Sequence, residues 1–532
     1  MPKRITIAGV PLSEFSIVHG KSDSAALILA DYLERASGIR LPVIKDTEAA
    51  EHEIRVGRTN RICSRLRDDG IAHDGFMIKV AGGNLIIRGG SEKGDENGVW
   101  VFLEQFIGWR FVHRDVDYLK PGDVELSEGI RYRFNPPYEY RQLDWVCTRD
   151  NTWRRKNGIN FQDFNWVGFV HTLSDLTEQN DPYNQPCLSD EAVLETVKKN
   201  VRRLLDNNPK CKIISVSQND NQNYCKCPKC AAVDEEEGSH AGTLLRFVNA
   251  VADDIRDEYP DVSIETLAYQ YTRRAPSITK PRDNVIIRLC SIECCFSHPL
   301  DAPDCEVNAD FCRDIIEWGK IAKRLYIWDY VTDFSYYIPP FPNFRVLLPN
   351  MKFFADNHVV GMYPEGNYQA ESGEFGELRA YLLGRAMWNP YMTAEAFEEY
   401  TDDFLTGYYG AAGAFIRKFL DFTRDATRDR HFNIWNPPLT IIPREVYEEH
   451  FDEIRDWWNA ACDAVRDDPV RLERVRKSML QWTYVSLTLH PDAAAARQFF
   501  DDVNSRGIRW NEWFDFTSEP DFSLPPEKWT VR

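Results

Sequence analysis

The chain predicts an α/β protein built on a parallel (β/α)8 barrel, preceded by a small mixed α/β domain and followed by a helical region. Three observations carry that prediction. Residues 213–220, IISVSQND, form a β-branched apolar run that stops abruptly at Asn219 and Asp220, as a strand buried on both faces does. Short runs of this kind alternate with amphipathic stretches between about 135 and 390. At 532 residues the chain is also too long for one hydrophobic core.

The first unit, residues 1–132, alternates strand and helix signals. ITIAG reads as a strand, Ser24 to Ala36 as an amphipathic helix and EIRVGR as a second strand. GFMIKVAGGNLIIRGG reads as a hairpin turning at Gly82-Gly83-Asn84, and Asn97 to Ile107 as a helix. The GGSEKGDENG stretch lacks GxGxxG spacing and a preceding βαβ context, so it is a loop feeding that helix rather than a dinucleotide fingerprint.

The barrel spans 133–390. Its expected strands are 138–143, 158–162, 167–171, 213–217, 263–269, 284–289, 325–328 and 359–363. The clearest helices between them are 191–206, 244–259, 311–322 and 344–357. An open doubly wound sheet is the structural alternative. From 391 to 532 the chain is helical, with Thr393 a suitable N-cap and Pro469 suited to a helical first turn.

Composition narrows the function. The balance of 64 basic and 83 acidic residues leaves a net charge of −19 with no basic block, which excludes nucleic acid and anionic membranes as natural partners. The 15 Trp, 23 Tyr and 30 Phe suit stacking on sugar faces, and equally suit large cores. No GxSxG elbow, P-loop or HExxH occurs. Neither a leader nor a membrane-spanning apolar run is visible, and the 13 scattered cysteines fit reduced thiols, so a cytoplasmic protein is expected. A chain already trimmed of a leader would instead be an exported one.

Polar residues collect just after the expected barrel strands, where such barrels carry their chemistry. These are Arg141 and Asp144 after the first, His171 after the third, Asn219 and Asp220 after the fourth, and Tyr269 after the fifth. Glu293 follows the sixth, Trp328, Asp329 and Tyr330 the seventh, and Glu365 the eighth. Acids and aromatics on one rim suit a sugar-cleaving pocket that binds an oligosaccharide or glycan. Duller readings stand beside these. Asp220 or Asp329 could cap a loop, Glu293 could pair with Arg288 or another buried arginine, Glu365 could be a solvated loop acid, and His171 could be a hydrogen-bonded core histidine. Cys225, Cys227 and Cys230 in CKCPKC could ligate zinc, with His240 or Cys305 as fourth ligand. Three thiols alone leave a tetrahedral site incomplete, so reduced thiols packing a loop, with no metal and no cofactor, is the expectation.

The stretches SVSQNDNQNYCKCPKC, FVNAVADDIRDEYPDVSIETLAYQYT, NVIIRLCSIECCFSHPL, LYIWDYVTDFSYYIPPFPN and ELRAYLLGRAMWNP together resemble glycoside hydrolase family 163 over most of 135–410. GFMIKVAGGNLIIRGG and NGVWVFLEQFIGWRF resemble the small domain that precedes the barrel in α-glucuronidases and β-hexosaminidases. The first resemblance implies endo-β-N-acetylglucosaminidase activity, cutting within the chitobiose core of N-glycans. It implies substrate-assisted retaining chemistry, in which the 2-acetamido oxygen attacks the anomeric carbon. Asn219 would then orient the acetamido group and Asp220 protonate the leaving oxygen, although Glu293 could equally be the acid. A two-carboxylate glycosidase acting on uronic or neutral sugars is the rival enzyme, with Arg141 favouring a uronate. A carbohydrate-binding protein without catalysis is the rival outside enzymes.

Overall fold

A computed structural model describes residues 2–61, 70–513, 515–516 and 518–529. Its centre is a seven-stranded, all-parallel sheet. The strands are β1 (Tyr140–Arg141), β2 (Trp166–Val167), β3 (Ile213–Ser215), β4 (Ser263–Ala268), β5 (Val285–Cys290), β6 (Leu325–Tyr330) and β7 (Val359–Glu365). Their spatial order is β1-β7-β6-β5-β4-β3-β2. The sheet curls until its two edges meet through side chains: the Tyr140 ring lies 5.3 Å from both Trp166 and Tyr326. It is a mixed α/β protein with a curled parallel barrel sheet, as the sequence predicts.

The expected second strand is absent from the ladder. Gly158 and Asn165 adopt positive φ (+71° and +44°), and Phe161–Phe164 form a 3-10 turn instead of extended chain. Asn160 replaces the missing pairing on the β1 side. Its amide N–H donates to the Arg141 carbonyl at 3.1 Å, and its side chain accepts from Arg141 N at 2.9 Å and donates to Glu139 O at 2.7 Å. Phe161 and Phe164 fill the gap against Tyr140, Ile213, Ile286 and Tyr326.

Above that apolar floor sits a buried ion pair. Arg288 Nε lies 3.1 Å from Glu265 Oε1, and the Ser215 hydroxyl donates to Glu265 Oε2 at 2.6 Å. The guanidinium stacks 4.1 Å from Trp166 and 4.7 Å from Phe169. This is how a strand interior tolerates a charge: it is paired, and its flat faces meet rings.

Helices α1 (Glu191–Asn207), α2 (Pro228–Glu237), α3 (Ala241–Ile255), α4 (Glu306–Ile321), α5 (Phe344–Asp356) and α6 (Gly376–Trp388) surround the sheet. Their apolar stripes close the main core with helices α7 (Ala394–Tyr409), α8 (Gly413–Ala426), α9 (Phe451–Ala464) and α10 (Pro469–Leu489). Thr393 caps α7, its hydroxyl accepting from Ala396 N at 3.2 Å. A final helix, α11 (Ala493–Ser505), leads into a segment that returns to the barrel mouth.

The N-terminal unit is a six-stranded mixed sheet with its own core, into which Trp388 at the end of α6 inserts. Its hairpin turns through Gly82 and Gly83, both at positive φ (+60° and +72°), which only glycine adopts without cost. Among the described residues, no helix is long and apolar enough to cross a membrane.

Candidate active site

A cleft of about 890 Å³ opens at the C-terminal ends of the barrel strands. Asp220, Glu293, Glu365 and Glu512 supply its carboxylates, and Trp328, Tyr330, Phe334, Trp435 and Trp513 supply aromatic faces. No lysine or arginine is among the described residues that line it.

Strand alternation decides who faces inward. In β6, Trp328 and Tyr330 point into the barrel with rings 6.3 Å apart, while Asp329 between them points out. Glu365, the last residue of β7, is almost completely buried at the base of the cleft, and the Trp328 indole N–H donates to its Oε2 at 2.8 Å. Burial lifts the Glu365 carboxyl to about 8; the indole N–H opposes this, and the neighbouring Glu512, Asp144 and Asp220 add to it. Burial, then the charge of Asp220, lifts Glu512 to about 7. Three acids therefore share one small region, and the deepest holds its proton at neutral pH.

Asp220 stands at the mouth, exposed, with the Tyr269 hydroxyl donating to its Oδ1 at 3.1 Å. His171 also lines the cleft at φ +55°, and its Nδ1 lies 2.8 Å from the Gln218 carbonyl. A carbonyl only accepts, so the Nδ1 carries the proton and Nε2 is the acceptor of the neutral ring.

The other expected residues fall elsewhere. Arg141 does not reach the cleft: as Tyr140 faces the barrel interior, its neighbour faces out. Its guanidinium donates to Asp74 Oδ2 at 2.7 Å and to the carbonyls of Gly158 and Tyr138. Asn219 is buried and turned into the loop preceding α1. Its Oδ1 accepts from Ser174 N at 2.9 Å, and its Nδ2 donates to Asp181 O and Asn184 O. With both amide hydrogens taken, it has none to offer an acetamido group. Asp329 is buried behind the sheet, accepting from the Ser291 hydroxyl at 2.6 Å, and burial lifts it to about 6. Asp144 sits beside Glu365, bridged to it along the backbone, with its carboxylate accepting from Tyr363 OH at 2.7 Å. Glu293 lines the cleft and pairs with Arg273 at 3.0 Å, an arginine other than Arg288.

Glu512, Trp513 and Trp435 escape sequence reasoning. Trp435 belongs to the loop after α8, while Glu512 and Trp513 belong to the segment after α11. That segment is strapped over the barrel by Tyr337 N to Trp510 O at 3.0 Å and Glu512 N to Phe334 O at 2.9 Å. The Trp435 and Trp513 rings lie 5.2 Å apart. The aromatic density of RWNEWF is the one signal that marks this segment in the sequence.

Fold and cleft together define a class: a parallel-barrel protein with carboxylates and aromatic rings gathered at the C-terminal ends of its strands. Residues 114–421 match the model of the family described as Domain of unknown function (DUF4838), and the chain belongs to that family. No curated protein sequence matches the chain. Among solved structures, it is similar to the chitobiase of Flavobacterium johnsoniae, at 10% identity and a TM-score of 0.44 over 95% of this chain and 94% of that one. It is also similar to a mutant Streptomyces plicatus β-hexosaminidase in complex with product GlcNAc, at 12% identity and a TM-score of 0.43 over 79% of this chain and 93% of the other. A GH138 enzyme targeting pectin rhamnogalacturonan II is similar at 9% identity and a TM-score of 0.44, over 94% and 75% of the two chains.

Proposed function

We propose that the chain is a glycoside hydrolase that cleaves a β-linked N-acetylglucosaminide by a substrate-assisted, retaining mechanism, with Asp220 as general acid. The observation that carries this reading is the grouping of Asp220, Glu365 and Glu512 over a cleft walled by Trp328, Tyr330, Trp435 and Trp513. A carboxylic acid supplies acid catalysis, carboxylates stabilise an oxocarbenium centre, and ring faces stack on sugar C–H surfaces. The resemblance of the barrel motifs to glycoside hydrolase family 163 supports the 2-acetamido sugar and internal cleavage of a glycan.

The lining supports a neutral sugar over a uronate. An anionic substrate would meet Asp220, Glu293 and Glu512 with no lysine or arginine among the described lining residues, and Arg141 is held by Asp74. Asp220 at the mouth, steadied by Tyr269, protonates the leaving oxygen as the acetamido oxygen closes on the anomeric carbon. Glu365, protonated at neutral pH, donates a hydrogen bond to a sugar hydroxyl at the base. Asn219 acts as a positioning residue, anchoring the loop that carries Asp220.

A second reading has one observation in its favour. Because Glu365 holds its proton to about pH 8, it is itself a candidate acid, in a two-carboxylate mechanism with Asp220 as partner. The test is a panel of aryl and oligosaccharide β-N-acetylglucosaminides, β-glucosides and β-glucuronides, with products identified by mass spectrometry. The proposal requires turnover of the N-acetylglucosaminides and inhibition by a thiazoline mimic of the oxazolinium intermediate. Turnover of glucosides or glucuronides alone contradicts it, and binding across the panel without turnover favours a carbohydrate-binding protein.

A further inference from the structure

A cysteine distant in sequence from CKCPKC completes a tetrad with it. Cys187, in the loop before α1, meets Cys225, Cys227 and Cys230, and the four sulfur atoms all lie within 4.8 Å of one another. His240 and Cys305, the candidate fourth ligands in the sequence, are not members of this group. His240 Nδ1 contacts Asp234 at 2.6 Å, and Cys305 belongs to a separate group with Cys295, His298 and His431.

The spacing of the sulfurs is informative. Zinc–thiolate bonds of about 2.3 Å at tetrahedral angles place ligand sulfurs about 3.8 Å apart. Cys187 Sγ lies 3.7 Å from Cys227 Sγ and 3.8 Å from Cys230 Sγ. A disulfide would require about 2.05 Å. The surroundings also suit thiolates. Cys227 is the N-cap of α2 and Pro228 its first residue, so the helix N-terminus faces the sulfurs, and Cys230 N donates to Cys227 Sγ at 3.5 Å. A zinc ion with four thiolates carries a net charge of about −2. Lys226 and Lys229 alternate with the ligands along the chain.

We propose that Cys187, Cys225, Cys227 and Cys230 bind a structural zinc ion that fastens the β2–α1 loop to the β3–α2 loop. Four protein ligands leave the metal no open position, so it takes no part in bond cleavage. Its role is mechanical. Gln185, two residues before Cys187, accepts from Asn219 N at 3.0 Å and donates to Asn219 O at 2.8 Å and Asn221 O at 2.9 Å. Asp220 lies between those two clamped residues. The zinc therefore anchors, from outside the cleft, the loop pair that presents Asp220. This inference stands on the thiol geometry and is independent of the reaction proposed above.

The test is metal analysis of the full chain, purified without a metal-affinity tag, combined with alkylation of its cysteines mapped by mass spectrometry. The second group of possible ligands makes a difference measurement necessary. The Cys187→Ser/Cys227→Ser double variant is expected to hold one zinc fewer per chain than the wild type. In the wild type all four thiols should be alkylated at least about tenfold more slowly than after treatment with a strong zinc chelator. The wild-type arm stands alone if the double variant fails to fold. Zinc-free wild type overturns the proposal, as do disulfides among these cysteines, full alkylation of the four without chelator, or equal zinc in wild type and a folded double variant.

Discussion

The indole N–H of Trp328 donates to Glu365 Oε2 at 2.8 Å, across adjacent strands whose ladder pairs Trp328 with Tyr363 and Tyr330 with Glu365. The two residues are thus diagonal neighbours on the inner face of the barrel, and the hydrogen bond ties the aromatic wall of the cleft to its deepest acid. A single neutral donor does not offset the burial of that carboxyl, which holds its proton to about pH 8.

Stability should therefore depend on pH in a stated direction. Between the usual value of 4.5 and about 8, folded Glu365 keeps a proton that the unfolded chain has released. Stability accordingly falls as pH rises through that window and levels off above it. The loss from this residue is on the order of 3–5 kcal/mol, with Glu512 adding in the same sense. Urea denaturation of wild type and Glu365→Gln at about pH 5 and about pH 8.5 measures it. The variant's slope should be shallower than that of wild type by about the Glu365 share, with Glu512 and Asp329 keeping the remainder; an unchanged slope would show that Glu365 titrates normally.

The Glu265–Arg288 pair in the barrel interior yields a second expectation. Glu265→Gln leaves the guanidinium buried without a counter-charge and should cost about 3–5 kcal/mol. The denaturation midpoint should fall with little change in m-value. A variant as stable as wild type would mean that the stacked rings alone accommodate the charge.

Arg141 separates a structural role from a substrate-binding one. Arg141→Met removes its contacts with Asp74 and two backbone carbonyls, so it should lower stability by about 3 kcal/mol while leaving the KM of the folded fraction unchanged. A raised KM at wild-type stability would return Arg141 to the cleft.

Trp513 is half exposed at the cleft mouth, stacked near Trp435. Trp513→Ala should raise KM roughly tenfold through lost sugar stacking, with kcat within about twofold. A large fall in kcat at constant KM would place the ring at the reacting centre instead of at a binding face.

The barrel was legible because parallel strands buried on both faces are continuous apolar runs. Ile213, Val285, Leu325 and Val359 each open one. The second strand was not, because Asn160 supplies, largely through its side chain, the hydrogen bonds a ladder would supply through several residues of backbone, and no periodicity records that substitution. At the rim, position after a strand located the cleft but not which way each side chain faces. Trp328, Asp329 and Tyr330 are consecutive, so one of the three had to point away, and the same parity turned Arg141 outward beside Tyr140. Glu512 and Cys187 were illegible for another reason. Each reaches its partners through tertiary contacts between segments far apart in the chain, and spacing rules see only local neighbours.

Whether Asp220 donates the proton can be read from its dependence on the leaving group. A glycoside whose aglycone departs readily as an anion needs little protonation, whereas a sugar or alkyl leaving group needs it in full. Asp220→Asn should lower kcat/KM at least about 100-fold on an oligosaccharide or alkyl β-N-acetylglucosaminide, and far less on the dinitrophenyl glycoside. Equal losses on both substrates, or near-normal turnover of the oligosaccharide, would contradict the assignment of Asp220 as the acid of this cleft.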